Sequence, residues 1–360
     1  MHNTMIRAWV EVDLGALQRN GATLAARAGV PLLPMVKADA YGIGARAAAR
    51  ALESLEPWGY GVATISEGVA LRDAGIRRPI VVFTPLLSPD LPGARDATLR
   101  PVLSRPEEIA NWASIRGGPW HLGIDTGMSR AGVRWDAVEA LGEAVGTCPP
   151  EGACTHLHSS ELGDSSADEQ EERFLDAIAA LPVRPTLLHV ENSAAITRRG
   201  RSRWDLVRPG VFLYGVGSGA GAEALPEPVV SVRARIVDTR WVNEGESVSY
   251  DATYRPGSRS RVATLAIGYA DGYARAFGNR GTTLVNGFVA PVLGTVTMDM
   301  TMIDVTNIPC EIGDVATLIG RDGTAVITVE DAARAASISP YELLTGLPRR
   351  MEYVYLGERA

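Results

Sequence analysis

Short apolar runs alternate with helical patterns at a steady interval over the first two-thirds of the chain. The runs are residues 32–37, 59–63, 80–84, 99–103, 120–125, 152–158, 186–190 and 206–214, with helical segments such as 66–74, 106–115, 135–145 and 168–181 between them. Phe174, Leu175, Ile178 and Leu181 fall on one face of the last helix, the stripe a sheet-covering helix needs. Ahead of this series, residues 7–12 alternate like a strand, and Asp13 is placed to cap a helix through Arg27. Continuous apolar runs read as parallel strands buried on both faces. Eight βα units therefore predict an α/β fold, a (β/α)₈ TIM-type barrel over residues 1–225, with a doubly wound open sheet as the alternative.

The pattern changes after Gly215. Residues 215–221 carry four glycines, Gly215, Gly217, Gly219 and Gly221, spaced in part like a dinucleotide loop, but Pro226 and Pro228 leave no room for the helix that would hold a pyrophosphate. The stretch reads as a linker. Beyond it, residues 229–237, 262–267, 282–285, 289–292, 302–305, 315–319 and 325–329 look like strands separated by Gly, Pro and Asn turns, followed by a helical segment at 341–347. A C-terminal, mostly-β domain is expected over residues 226–360, joined by the N-terminal strand.

Composition narrows the function. A length of 360 residues has room for two domains, and 46% apolar residues suit a globular protein with a sizeable core. The net charge of −7, with Lys and Arg scattered, argues against nucleic acid as a partner. No apolar stretch is long enough to span a bilayer, and residues 1–10 lack a signal-peptide core. Cys148, Cys154 and Cys310 are few, odd in number and widely spaced, which fits reduced thiols and a cytoplasmic location.

The candidate chemistry sits at predicted strand ends. Lys37 closes a buried run, and α/β barrels keep their reactive groups there. A desolvated lysine is costly unless it is paired or used covalently; the alternative is an amine that snorkels to the strand mouth. Ser193, Gly210 and Val211 lie at the loops after the seventh and eighth strands, where barrels often seat a phosphate on backbone N–H groups and a hydroxyl. A lysine amine, a phosphate seat and several cations on one face describe a site for pyridoxal 5'-phosphate. A metal is the rival, since Cys154, His156 and His158 alternate along one predicted strand. The outer two would be roughly 13 Å apart at 3.3 Å per residue, too far for one ion. Barrel-lining histidines, and no metal, are expected.

Taken together in order, MVKADAYGIG, HLGIDTGMSRAG, HVENSAA, VRPGVFLYG, VSYDATY, LAIGYADGY and GTVTMDMTMIDVT resemble the alanine racemase family, fold-type III pyridoxal phosphate enzymes, over nearly the whole chain. The resemblance implies racemisation of a small amino acid, L-alanine to D-alanine first, in a homodimer whose sites combine one barrel with the other chain's second domain. It implies Lys37 as the Schiff-base lysine and first base, with Tyr269 of the partner chain as the second. Tyr41, Ser193, Gly210 and Val211 resemble the phosphate ligands, and Arg208 the arginine facing the pyridine nitrogen. His156 resembles a neighbour of Tyr269 in a hydrogen-bond chain toward Arg208. Arg130 and Met298 resemble the substrate-carboxylate contacts. Arg349 stands where the family has a phosphate-binding tyrosine, and is counted with the cofactor contacts. Gly123 occupies the place of a lysine that is often carbamylated in the family, Thr295 that of an arginine, and His158 a position usually small. These departures leave open a racemase for another amino acid such as serine. A decarboxylase of the same barrel class and a non-catalytic pyridoxal phosphate carrier are the other readings.

Overall fold

The computed structural model describes residues 6–219, 221–347 and 350–357. The alternating stretch at the N-terminus is a strand, Ala8–Asp13, with every second side chain buried. It belongs to the C-terminal sheet: Ala8 lies opposite Ala234 in an antiparallel pair, and Trp9 opposite Glu352 in a parallel one. Asp13 ends the strand and starts the helix Leu14–Ala28, its carboxylate accepting from Ala16 N at 2.8 Å. The chain thus begins in one domain and enters the other within a single residue.

Seven parallel strands follow in the order Tyr60–Val62, Ile80–Val82, Arg100–Leu103, His121–Asp125, Gly152–Cys154, Leu187–Asn192 and Leu206–Arg208. The expected first strand at 32–37 is reduced to two bridges, Leu32 to Val207 and Met35 to Gly61, yet it still closes the ring. Leu33 N and Met35 N donate to Val207 and Pro209 on one side, while Gly61 N donates to Pro34 O and Val36 N to Gly61 O on the other. Pro31 and Pro34 supply no N–H, so the ladder is interrupted where the sequence pattern reads as continuous. Two other predicted strands stop early. The run 152–158 ends at Cys154, and the run 206–214 ends before Pro209 and gives way to a 3₁₀ turn, Val211–Tyr214. The expected helix at 135–145 is a 3₁₀ turn, Val138–Leu141, running into Gly142–Thr147.

In the second domain, Val230–Val242 is long enough to serve two neighbours. Its first half pairs with Ala8–Asp13 and with Val315–Asp322, and its second half with Ser260–Leu265. From there the pairing runs through Thr301–Asp304, Phe288–Leu293 and Thr282–Val285 back to Val315–Asp322, a closed antiparallel circuit. Among the described residues no helix is long and apolar enough to cross a membrane.

Because Asp13 satisfies an otherwise orphaned N–H at the domain junction, Asp13→Ala is expected to cost about 1 kcal/mol of stability. A lowered urea midpoint at unchanged slope is the expected result, with Asp13→Asn recovering most of it.

Candidate functional site

Lys37 does not end a strand. It opens a short turn, Lys37–Gly42, in which Ala38, Asp39, Ala40 and Tyr41 all have φ between 52° and 54°. A left-handed backbone costs an L-residue about 1–2 kcal/mol, so four in succession need external support. Ala38 N donates to Glu67 Oε1 at 2.7 Å, and the other Glu67 oxygen accepts from Ala63 N at 2.7 Å. Asp39 Oδ1 accepts from Ala45 N at 2.7 Å. The C-terminal strand Glu352–Leu356 adds two hydroxyls: Tyr353 donates to Gly42 O at 2.7 Å and Tyr355 to Ile43 O at 3.0 Å. The Tyr41 ring stacks on Tyr214 with centroids 4.6 Å apart, and the Tyr214 hydroxyl donates to Met35 O. Lys37 and Tyr41 consequently line one cavity of about 690 Å³ at the C-terminal mouth of the barrel.

Arg130, His156, Ser193, Arg208, Gly210 and Val211 line the same cavity. Ser193 opens a helix, Ser193–Arg199, whose cap is Asn192, and its Oγ accepts from Gly210 N at 2.8 Å. Gly210 is required by space: a Cβ there would sit 2.7 Å from the Tyr41 hydroxyl oxygen. Two hydroxyls and a backbone turn therefore converge in a cup. Arg208, 4% exposed, donates to Thr155 O at 2.5 Å, to Val190 O at 2.9 Å and to His189 O. The carbonyl of Thr155 turns to this guanidinium, beyond the end of the strand at Cys154.

Burial, then the charge of Arg130, holds the Lys37 amine below the ordinary lysine range. His156 is pushed down to about 3, first by burial and then by Arg208. At neutral pH the imidazole is uncharged.

Several expectations change at this point. His156 makes no hydrogen bond to Arg208; that contact belongs to His189, whose Nδ1 lies 3.0 Å from Arg208 Nη1. Sequence reading missed His189 because its partner is nineteen positions away and only the barrel closure joins them. His158 is not on a strand with Cys154; its Nδ1 pairs with Ser159 Oγ at 2.7 Å. Among the described residues no cluster of three His, Cys, Asp or Glu could hold a metal ion. Tyr341 was also missed: from the helix Pro340–Gly346 it reaches within 6.1 Å of the Tyr41 ring and lines the cavity. So does Ser218, whose buried Oγ lacks a partner among the described residues. Arg349 lies outside the described residues.

A side chain at Gly123 would crowd the neighbouring strand, since a Cβ there would sit 2.8 Å from Val102 Cγ1. Arg130 has no ion pair among the described residues and is exposed at the rim. Tyr269 and Met298 do not line their own chain's cavity. They lie on the second domain, 37% and 52% exposed, in a loop held by Tyr269 N to Thr297 O and by buried Asp271, which accepts from Gly268 N and Arg350.

Residues 12–218 match the family profile described as alanine racemase, N-terminal domain, and residues 229–355 match alanine racemase, C-terminal domain. The chain belongs to the alanine racemase family. It is 37% identical to an alanine racemase of Symbiobacterium thermophilum, covering 98% of each chain. The crystal structure of alanine racemase from the D-cycloserine producer Streptomyces lavendulae superposes with a TM-score of 0.91 at 31% identity, over 99% of both chains. That of Bartonella henselae, solved with covalently bound pyridoxal phosphate, gives 0.90 at 28% identity, over 98% of this chain and all of that one. The family membership agrees with the barrel and β-domain pairing, and with the ordered motifs.

Since Arg130 contributes to the lowered pKa of Lys37, the unliganded amine should react with an acylating reagent at a midpoint below that of a free lysine. Arg130→Gln should move that midpoint upward, read by mass spectrometry of the Lys37 peptide across pH.

Proposed function

We propose that this chain interconverts L- and D-alanine with pyridoxal 5'-phosphate held in the barrel-mouth cavity. The observation that carries the reading is the convergence of the Lys37 amine, the Arg208 guanidinium and the Tyr41–Ser193–Gly210 cup on one cavity in a member of this family. The donor set fits the cofactor. Tyr41, Ser193, Gly210 and Val211 would hold its phosphate, Arg208 would face its ring nitrogen, and His156 would lie beside the ring. Pyridoxal phosphate, when bound, acidifies the α-proton of an amino acid joined to it.

Racemisation needs proton exchange on both faces of the α-carbon. Lys37, buried and held below the usual lysine range, is suited to take or return the proton on one face. Arg208 stays charged and keeps its donors, because a guanidinium does not give up its proton in a protein. Tyr269, the base read for the second face, is exposed on the other domain and does not line the chain's own cavity. A homodimer in which each Tyr269 enters the other chain's site meets both facts, with Met298 beside the substrate carboxylate and Arg130 binding it. The two domains are read as residues 1–225 and 226–360, supported by the irregular chain between Tyr214 and Val230.

Purified protein given pyridoxal phosphate should absorb in the visible range, and borohydride should fix the added mass on Lys37. Chiral chromatography should then show D-alanine formed from L-alanine. Protein that stays colourless, or added mass that is absent from the Lys37 peptide, ends this reading. The unpaired state of Arg130 favours a loosely held carboxylate, so L-serine should racemise as well, and bicarbonate should leave both rates unchanged. Strict alanine selectivity or strong bicarbonate activation would count against that extension.

The shared site has its own test. Tyr269→Phe should bind cofactor but lose at least a hundredfold in racemisation, and Lys37→Ala should be inactive. Mixed, the two should recover activity, since one site in each heterodimer has both wild-type groups. Full activity of the Tyr269→Phe protein alone would remove Tyr269 from the mechanism.

A further inference from the structure

A file of polar side chains crosses the interior of the barrel from its catalytic mouth to the opposite end. It starts at Arg208, on the C-terminal end of the strand Leu206–Arg208. Arg208 Nη1 lies 3.0 Å from His189 Nδ1, and His189 Nε2 lies 2.7 Å from His121 Nδ1. His121 Nε2 is 3.4 Å from Glu151 Oε2, a charge contact short of a well-formed hydrogen bond. Glu151 in turn accepts from Arg100 at 2.5 and 3.1 Å, and Arg100 lies over the Trp58 ring. His121 and Arg100 begin their strands and Glu151 precedes its own, so this end is the N-terminal face.

The direction of the file follows from donor and acceptor chemistry. Arginine has donors only, so His189 must accept at Nδ1 and carry its proton on Nε2. His121 must then accept at Nδ1, and its Nε2 proton points at the Glu151 carboxylate. Both imidazoles are fully buried, and burial is the largest cause lowering their pKa values; Arg208 and each other's charge add to it at His189. Neutral rings with fixed tautomers are the consistent state. The barrel also makes room for this arrangement, because a Cβ at Gly152 would sit 2.6 Å from His121 Nδ1.

Arg208 needs such support. Its guanidinium is buried among carbonyl oxygens with no carboxylate in hydrogen-bonding contact among the described residues. A buried cation without a counter-charge is costly unless oriented dipoles replace one. We propose that His189 and His121 are positioning residues, an aligned pair of Nε2–H imidazoles that link Arg208 to the Glu151 carboxylate at the far end of the barrel. Aligned dipoles polarise one another in a low-dielectric interior, so the Glu151 charge, 3.4 Å from His121 Nε2, strengthens acceptance at His189 Nδ1. The guanidinium is thereby held in one orientation at the cavity. The role of Arg208 in turnover rests on the reading given under the proposed function; the tautomers do not.

The test uses the whole protein labelled with ¹⁵N-histidine. Long-range proton–nitrogen spectra should show His121 and His189, identified by loss of signal in His121→Phe and His189→Phe, as Nε2–H tautomers unchanged from pH 6 to 9. An Nδ1–H tautomer or a doubly protonated ring at either position overturns the proposal, whatever the activity. Glu151→Gln removes the charge from the N-terminal face without touching the cavity. It should shift the His189 nitrogen signals and lower kcat for alanine about tenfold with KM within twofold, and Glu151→Asp should restore most of both. Unchanged His189 signals in Glu151→Gln, or a fall in thermal stability alone, would show that Glu151 only braces Arg100. Shifted His189 signals with no racemase activity even in the wild type would preserve the file and instead overturn the proposed function.

Discussion

Four residues in a left-handed helical backbone, Ala38 to Tyr41, set the geometry on which the cavity depends. At about 1–2 kcal/mol each, the conformation costs roughly 4–8 kcal/mol and cannot be local in origin. Its supports come from three directions: Glu67 in the next βα loop, Tyr214 after the last barrel strand, and Tyr353 and Tyr355 on the C-terminal strand. The turn carries Lys37 at its start and Tyr41 near its end, so two residues of the cavity lining are positioned by a single strained element. Strain of this kind persists where the surroundings over-determine it. Here the second domain takes part in that determination through its C-terminal strand, which also pairs with Ala8–Asp13.

The electrostatics of the cavity follow from burial more than from charge number. Lys37, His156 and Arg208 all have lowered pKa values with desolvation as the first cause. What remains is a site with arginine cations, a neutral imidazole and an amine held below its ordinary range. The hydroxyls of Tyr41 and Ser193 and the close approach allowed by Gly210 form the cup within that cavity.

One loop of the second domain takes no part in this cavity. The loop bearing Tyr269 and Met298 is firmly built, with Asp271 accepting from Gly268 N and Arg350, and Arg350 also meeting Asp299. Tyr269 and Met298 are nonetheless exposed and do not line the cavity of their own chain. A rigid, half-exposed tyrosine on one domain and a one-sided base on the other are complementary features, which is why the proposed reading places them together in a pair of chains.

Periodicity pointed to the barrel class, with an open sheet as its alternative, and to the cap at Asp13, because these depend on local burial and capping. Motif order likewise pointed to Lys37, Tyr41, Ser193, Arg208 and Gly210 as neighbours, and the fold brings them to one cavity. Other features were decided only by tertiary contact. The left-handed turn is built from Ala, Asp, Ala and Tyr, residues that signal no such backbone. The replacement of His156 by His189 beside Arg208 depends on which side chains the closed barrel turns inward. The approach of Tyr341 to Tyr41 joins positions three hundred residues apart, and Val102 fills the space beside Gly123 from a neighbouring strand. Local sequence sets which residues are buried and where helices begin; which buried groups then meet is set by chain closure, and no local pattern encodes it.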